Sequence, residues 1–336
     1  MTARTQKNRP VDDGRSGMQQ ASDGRTRVLR FGVWRPLFAL AVLCLAGYLL
    51  YRAAGQFSLD AFVVSLQSVT PQRIVLTGLF AAASYLCLTC FDALALRYVC
   101  RDVPYPYLAL TSFTSLSLGH NIGFAALSSG AIRFRFYARY GLSAIDIARV
   151  IVFCGITVGL GLIGLACIAL WSSPDVPSRI LQIPTGTAML LGMACAILPV
   201  GYILLCQVVR RPLRLHERQL QLPPAGLALG QVLIGTLNFG LVAACLQQAI
   251  GGAPEVPYLA VAAVYVLANL ATLISHVPGG LGVIEGVVLT MLQGDAAVGG
   301  VILFRVAYFF VPLILGTIAF ALSELLLSAP RARAQS

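Results

Sequence analysis

Residues 274–285 read Ile274-Ser275-His276-Val277-Pro278-Gly279-Gly280-Leu281-Gly282-Val283-Ile284-Glu285, a proline, three glycines and a carboxylate inside a long apolar stretch. Proline lacks the N–H that a helix interior needs and glycine weakens a helix further, so the chain must break here, and the apolar run beyond restarts it. Irregular backbone at membrane depth is tolerated only where it is buried in protein or lines a cavity. The stretch from about 258 to 293 therefore reads as a broken helical hairpin that enters a membrane and turns back.

The rest of the chain agrees with that setting. Of 336 residues, 58% are apolar and 11% charged, against roughly 25% charged in an ordinary soluble domain. Of the 24 basic and 13 acidic residues, eight and three precede the first apolar run, leaving the remainder sparsely charged. The alternating pattern of barrel strands is absent, and helices satisfy their own backbone hydrogen bonds in hydrocarbon. The fold class is thus an all-α polytopic membrane protein.

Charge placement orders the spans. Residues 1–30, rich in Arg, Asp, Ser, Gly and Gln, read as a disordered basic cytoplasmic tail; 31–328 form the membrane domain and 329–336 a cytoplasmic C-terminal tail. Trp34 to Tyr51 is an uncleaved first span. Thr70-Pro71 opens a second, about 72–91, that returns to Arg97 and Arg101. The stretch 106–132 cannot be one crossing, since Arg133, Arg135, Arg139 and Arg149 would then lie outside. It is also interrupted by Ser115, Ser117, Gly119, His120, Asn121, Gly123, Ser128, Ser129 and Gly130. A second broken hairpin, entering from the cytoplasm, resolves both conflicts.

Ser143-Ala144-Ile145-Asp146 forms a capping box that starts the next span. That span runs to about Trp171 and carries Gly155, Gly159, Gly161 and Gly164, small residues that permit close helix packing. Spans at 184–208, 226–250 and 297–327 follow, the last carrying Arg305 and Pro312. Six crossings and two oppositely oriented hairpins place both termini in the cytoplasm, the arrangement of an inverted repeat.

The net charge of +11 lies beside apolar runs, so no nucleic-acid partner is expected. Nine cysteines are an odd set, and Cys87-Leu88-Thr89-Cys90 lacks a second pair, so neither a metal nor a cofactor is expected.

The candidate site residues are those too polar for their depth. Glu285 either caps the restarted helix or pairs with Arg305, or else meets a cationic headgroup or carries a proton, because an ionised group at mid-membrane costs about 2.5 to 3.5 kcal/mol. N–H groups beside Gly279, Gly280 and Gly282 offer a phosphate site at a helix start, with His276, Arg305 and Tyr308 lining the same cavity. Arg133 and Arg135 either anchor the hairpin to anionic lipid or clamp a headgroup phosphate. Asp92 is a structural pair, with Arg97 nearby, or a cavity residue. His120 and Asn121 satisfy hairpin backbone or touch substrate.

At these positions the sequence resembles a known family. Tyr85, Asp92, Ala95 to Arg97, Gly119-His120-Asn121-Ile122-Gly123-Phe124, Arg133-Phe134-Arg135-Phe136-Tyr137, Gly141-Leu142-Ser143 and His276 to Glu285 are similar to the transmembrane flippase region of the bacterial lysylphosphatidylglycerol synthases, the multiple peptide resistance factor family. The resemblance spans about 70 to 327. It implies an inner-membrane flippase for aminoacylated phosphatidylglycerol that binds phospholipid headgroups. The family's C-terminal aminoacyltransferase domain has no counterpart in the twelve residues that follow Glu324, so no enzymatic activity is expected. A separate aminoacyltransferase and a second copy of the chain are the protein partners left open, and a membrane fragment or scaffold of a lysyltransferase is the rival reading.

The side on which residues 133–139 lie decides the topology. Arg139→Cys in a cysteine-free background is expected to react with an impermeant thiol reagent only after the inner face is exposed. Labelling of intact cells from outside would turn 106–132 into a full crossing.

Overall fold

The computed structural model describes residues 69–122, 125–172, 182–209, 213–215, 218–251, 256–275, 277–292 and 295–328, with Leu40, Ala41, Cys44, Tyr48, Pro174, Asp175 and Ser178. The chain divides into two units, 1–45 and 46–336, and the helical bundle is the second. The expected tails and most of the expected first span, Trp34 to Tyr51, lie outside the described residues.

Among the described residues the bundle has ten α-helices in chain order. They are α1 Pro71–Tyr98, α2 Tyr105–Ile122, α3 Ala125–Tyr137, α4 Ala144–Ser172, α5 Thr185–Val208, α6 Ala225–Ile250, α7 Tyr258–Ser275, α8 Val283–Leu292, α9 Asp295–Arg305 and α10 Val311–Ser328. Six described helical segments are long and apolar enough to cross a membrane: α1, α4, α5, α6, α7 and Val298–Leu325. A short antiparallel ribbon, Leu213–Leu215 with Arg218–Leu220, joins α5 to α6. Among the described residues it is the only sheet.

The core is an antiparallel pair. Cys245 Sγ donates to Thr77 O, Cys87 Sγ to Ile234 O and Tyr98 Oη to Gln221 O, so α1 and α6 run opposite ways along their whole lengths. Helix α4 closes on α6 through glycines. A Cβ on Gly235 would stand 2.6 Å from Thr157 O and 2.9 Å from Gly161 Cα, and Gly164 packs on Thr236. Gly155 and Gly159, expected to pack closely against a neighbouring helix, face open space. Gln231 ties three helices together, donating to Phe153 O and Thr157 Oγ1 and accepting from Tyr202 Oη at 2.7 Å. Leucines such as Leu79, Leu86, Leu198 and Leu233 are left exposed, as a lipid-facing surface requires.

Two hairpins fill the remaining space. In the first, α2 and α3 close where Gly119 meets Ser129, a Cβ there lying 2.8 Å from the serine Cβ. The expected interruption of α2 is largely absent, since its backbone stays helical through Ile122. Its polar residues turn inward instead: Thr111, Thr114 and Ser115 are fully buried and donate to Tyr107 O, Leu110 O and Thr111 O. Satisfying hydroxyls on the preceding turn lets a serine-rich helix sit inside the bundle. In the second hairpin α7 returns as α8 through the turn Pro278–Gly280, with Gly279, Gly280 and Gly282 at positive φ. At 18 residues, α7 is about 27 Å long. Length alone would make it a crossing, and the immediate return through α8 makes it a limb.

The hairpins are rooted at opposite ends. Gln247 Nε2 donates to Val256 O and Gly300 packs on Ile250, which places both roots of the second hairpin at the C-terminal end of α6. The first hairpin is rooted beside Arg101, Asp146 and Glu324, at the other end. Their tips meet: a Cβ on Gly279 would lie 3.8 Å from Asn121 Cα and from the carbonyl oxygens of His120 and Asn121.

Gly161→Ala forces a methyl against the backbone of Gly235, so we expect a loss of about 1 to 3 kcal/mol, read as a lower thermal midpoint in detergent. Gly155→Ala, in open space, is the control and leaves the midpoint unchanged or slightly raised.

Candidate functional site

Where the second hairpin breaks, the freed backbone groups find partners on one side chain. Arg305, at the end of α9 and fully buried, donates Nη1 to Gly279 O and Nη2 to Gly280 O, the latter at 2.6 Å. Its Nε and Nη2 also hold Glu285, the latter at 2.8 Å. Glu285 in turn accepts from Gly282 N–H at 2.8 Å, capping its own helix. The guanidinium lies 4.5 Å from the centre of the Phe309 ring. The cap and the ion pair, alternatives for Glu285 on the sequence, are both present.

The crossing helix departs from α winding just past Arg305. Pro312 cannot donate the backbone bond that a carbonyl one turn earlier requires. Val306–Phe310 winds as a π turn, and two side chains reach in: Tyr85 Oη donates to Tyr308 O at 3.3 Å and Asn121 Nδ2 to Phe309 O at 3.4 Å. The Tyr308 hydroxyl sits 3.1 Å from Ser84 Oγ, which donates to Asn238 Oδ1 at 2.7 Å.

A second buried ion pair fixes the first hairpin. Arg133 presents Nε and Nη2 to the two oxygens of Asp92, each at 2.9 Å, and Nη1 to Ser129 Oγ at 3.1 Å. Tyr137 Oη donates to Asp92 Oδ1 at 3.0 Å. The partner of Asp92 is thus Arg133 across the helix interface, and Arg97 stays on the surface. Both members are essentially shielded from solvent, at 3% and 0% side-chain exposure, so the pair holds only because its geometry is forked and its spare valences are used.

Arg135 does not join Arg133. Residues two apart on a helix do not face each other, and Arg135 instead grips Glu324 near the end of α10, with Nε at 2.7 Å from Oε1, while Arg139 lies 3.0 Å from the same oxygen. Arg101 pairs with Asp146 at 2.9 Å, whose capping box with Ser143 is formed.

The structure therefore gathers Gly279, Gly280, Gly282, Glu285 and Arg305 into one knot, with His120 and Asn121 beside it at the tip of the first hairpin, while Tyr308, in the π turn, turns its hydroxyl to Ser84. Asp92 and Arg133 form a second cluster, and Arg135 a third with Glu324. His276 lies outside the described residues. Sequence reasoning passed over Glu324, Tyr137, Ser84 and Asn238. Glu324 was legible as a lone carboxylate in the last apolar span, while the other three become polar contacts only once helices are paired.

Two kinds of relative share this chain. It is 28% identical over 270 residues to an uncharacterized protein of Synechocystis, covering 79% of this chain and 83% of that one. It is 29% identical over 249 residues to the inner membrane protein YbhN of Escherichia coli, covering 72% and 77%. It is also 23% identical over 298 residues to the phosphatidylglycerol lysyltransferase of Staphylococcus aureus, which takes in 86% of this chain and 34% of that enzyme. No family model matches the chain. Six membrane-length helices and the likeness to an inner membrane protein mark it as a multi-pass protein of the inner membrane.

Removing one member of the Asp92–Arg133 pair leaves the other charge buried alone, so Asp92→Asn is expected to cost about 3 to 5 kcal/mol. Joint replacement, Asp92→Asn with Arg133→Gln, should recover most of that loss in a thermal or denaturant unfolding series. A loss in the joint variant equal to the sum of the separate Asp92→Asn and Arg133→Gln losses would mean that the pair is not coupled.

Proposed function

We propose that this protein moves a phospholipid across the inner membrane, and that the lipid is aminoacylated phosphatidylglycerol or a close relative of it. The observation that carries this reading is the meeting of two oppositely rooted hairpins at their tips, beside arginines held on exchangeable carboxylates. Helices broken at mid-depth between repeats are where secondary transporters hold substrate. A headgroup phosphate accepts the same forked pair of N–H donors as a carboxylate. Arg305 or Arg133 can therefore pass from its carboxylate to the lipid phosphate, while the released Glu285 or Asp92 takes the ammonium of the aminoacyl group. Each charge leaves one partner for another without being stranded in hydrocarbon, and on this reading His120, Asn121 and Tyr308 exchange their present contacts for the ester and glycerol oxygens.

The relatives support a lipid role. The lysyltransferase shares with this chain a stretch that here is almost all membrane helix, so we assign transport, without aminoacyl transfer, to this stretch. A separate aminoacyltransferase then supplies the lipid. Charge favours one orientation: Arg97, Arg101, Arg135, Arg139 and Arg149 lie toward one end of the bundle and Arg73 at the other. We assign the arginine-rich end to the cytoplasm, and by the same charge rule expect both termini on the cytoplasmic side.

The test is translocation of a fluorescent lysylphosphatidylglycerol by the purified protein in vesicles, compared with protein-free vesicles. Glu285→Gln keeps the shape but turns one of two acceptor oxygens into a donor facing Arg305 or Gly282, so abundance falls too, and per folded molecule we expect it to slow movement about tenfold, about 1.4 kcal/mol in barrier. No acceleration by the wild-type chain refutes transport, and lysylation of lipid from charged tRNA by this chain alone would restore the enzyme reading.

A further inference from the structure

The crossing from Asp295 to Ser328 is not one rod. We infer that the π turn Val306–Phe310 is a hinge dividing it into two arms, each fastened to a different hairpin, and that the hairpins move against one another about this joint. On one side, Arg305 holds Gly279 O, Gly280 O and Glu285 of the second hairpin, and Gly300 abuts Ile250 of α6. On the other side, Gly316 packs on Ser117 of the first hairpin, a Cβ there lying 2.8 Å from the serine Cβ. Phe320 meets Phe136 edge to face at 6.1 Å, and Glu324 pairs with Arg135 and Arg139. Charge and close packing fix each arm to its hairpin.

The joint between them is held differently. Besides its own backbone bond from Val311 N–H to Val306 O, it is held by two long hydrogen bonds from neutral side chains, Tyr85 Oη to Tyr308 O at 3.3 Å and Asn121 Nδ2 to Phe309 O at 3.4 Å. Neutral bonds of this kind are weaker than charge-assisted ones. A proline two residues past the π turn removes one backbone bond of the ladder outright, and sharp helix bends occur at such prolines and π turns. Strong fastenings on both arms with a weak, proline-marked turn between them are the parts of a hinge between two bodies. The purpose of the motion, opening the tip junction to one side and then the other, rests on the transport reading; the joint itself does not.

The joint can be measured without substrate. Spin labels at Val298 and Leu322, both exposed and one on each arm, are placed in a cysteine-free chain in lipid vesicles, and the distance distribution is read by pulsed electron paramagnetic resonance. We expect two populations in the parent. Pro312→Ala, which restores the missing N–H, should lose one of them, and Tyr85→Phe, which removes a bond to the joint, should broaden the distribution. The opposite signs guard against a variant that merely folds poorly. A single narrow distance in the parent that neither substitution changes overturns the hinge and leaves lipid movement to be judged by the translocation assay.

Discussion

A helix broken inside hydrocarbon exposes carbonyl and N–H groups to a medium that cannot bind them, and the cost is several kcal/mol for each group left alone. The second hairpin exists because Arg305 meets that demand. One guanidinium takes two carbonyls from the turn and two oxygens from Glu285, and Glu285 takes an N–H from the glycine that opens its helix. Neither charge is tolerable without the other, and the turn is not tolerable without both. The position of the second hairpin and its contact with the first at Asn121 follow from satisfying this one break.

The same constraint explains why the interior is polar yet stable. Asp92 and Arg133 bond to each other, Tyr137 and Ser129, and Thr111, Thr114, Ser115 and Ser117 of α2 bond to their own preceding turn while Ser112 donates to Leu88 O of α1. Such an interior is self-sufficient at rest but easily re-partnered, because a forked arginine pair is satisfied equally by carboxylate or phosphate. Our functional reading depends on that equivalence: the protein stores the contacts of a zwitterionic headgroup as ion pairs between its own residues.

Much of this was legible in the sequence, for physical reasons that can be named. Pro278 and the glycines after it break a helix in any setting, so the second hairpin could be placed within a few residues, and the pairing of Glu285 with Arg305 follows from the cost of leaving either alone. The misreadings share a cause. Ser115 to Asn121 looked like irregular backbone because polarity was read as exposure to a cavity, whereas the hydroxyls bond within the helix. Asp92 was set beside Arg97, its neighbour in sequence, although burial selected Arg133 across an interface. Gly155 and Gly159 were assigned to packing because composition does not say which face of α4 meets α6. The π turn was announced only by Pro312, a signal shared by many plain kinks.

The most direct measurement of the central claim, that two hairpins rooted at opposite ends meet at their tips, is a disulfide between Asn121→Cys and Gly279→Cys in an otherwise cysteine-free chain in native membranes. With 3.8 Å between the Cβ position at 279 and Asn121 Cα, the separation suits a disulfide, at a cost of about 1 to 2 kcal/mol for a side chain at the positive φ of residue 279. The account predicts efficient cross-linking on mild oxidation, above that of either single-cysteine chain. No cross-linking between the tips, with both thiols present and reactive toward a thiol reagent, would contradict it.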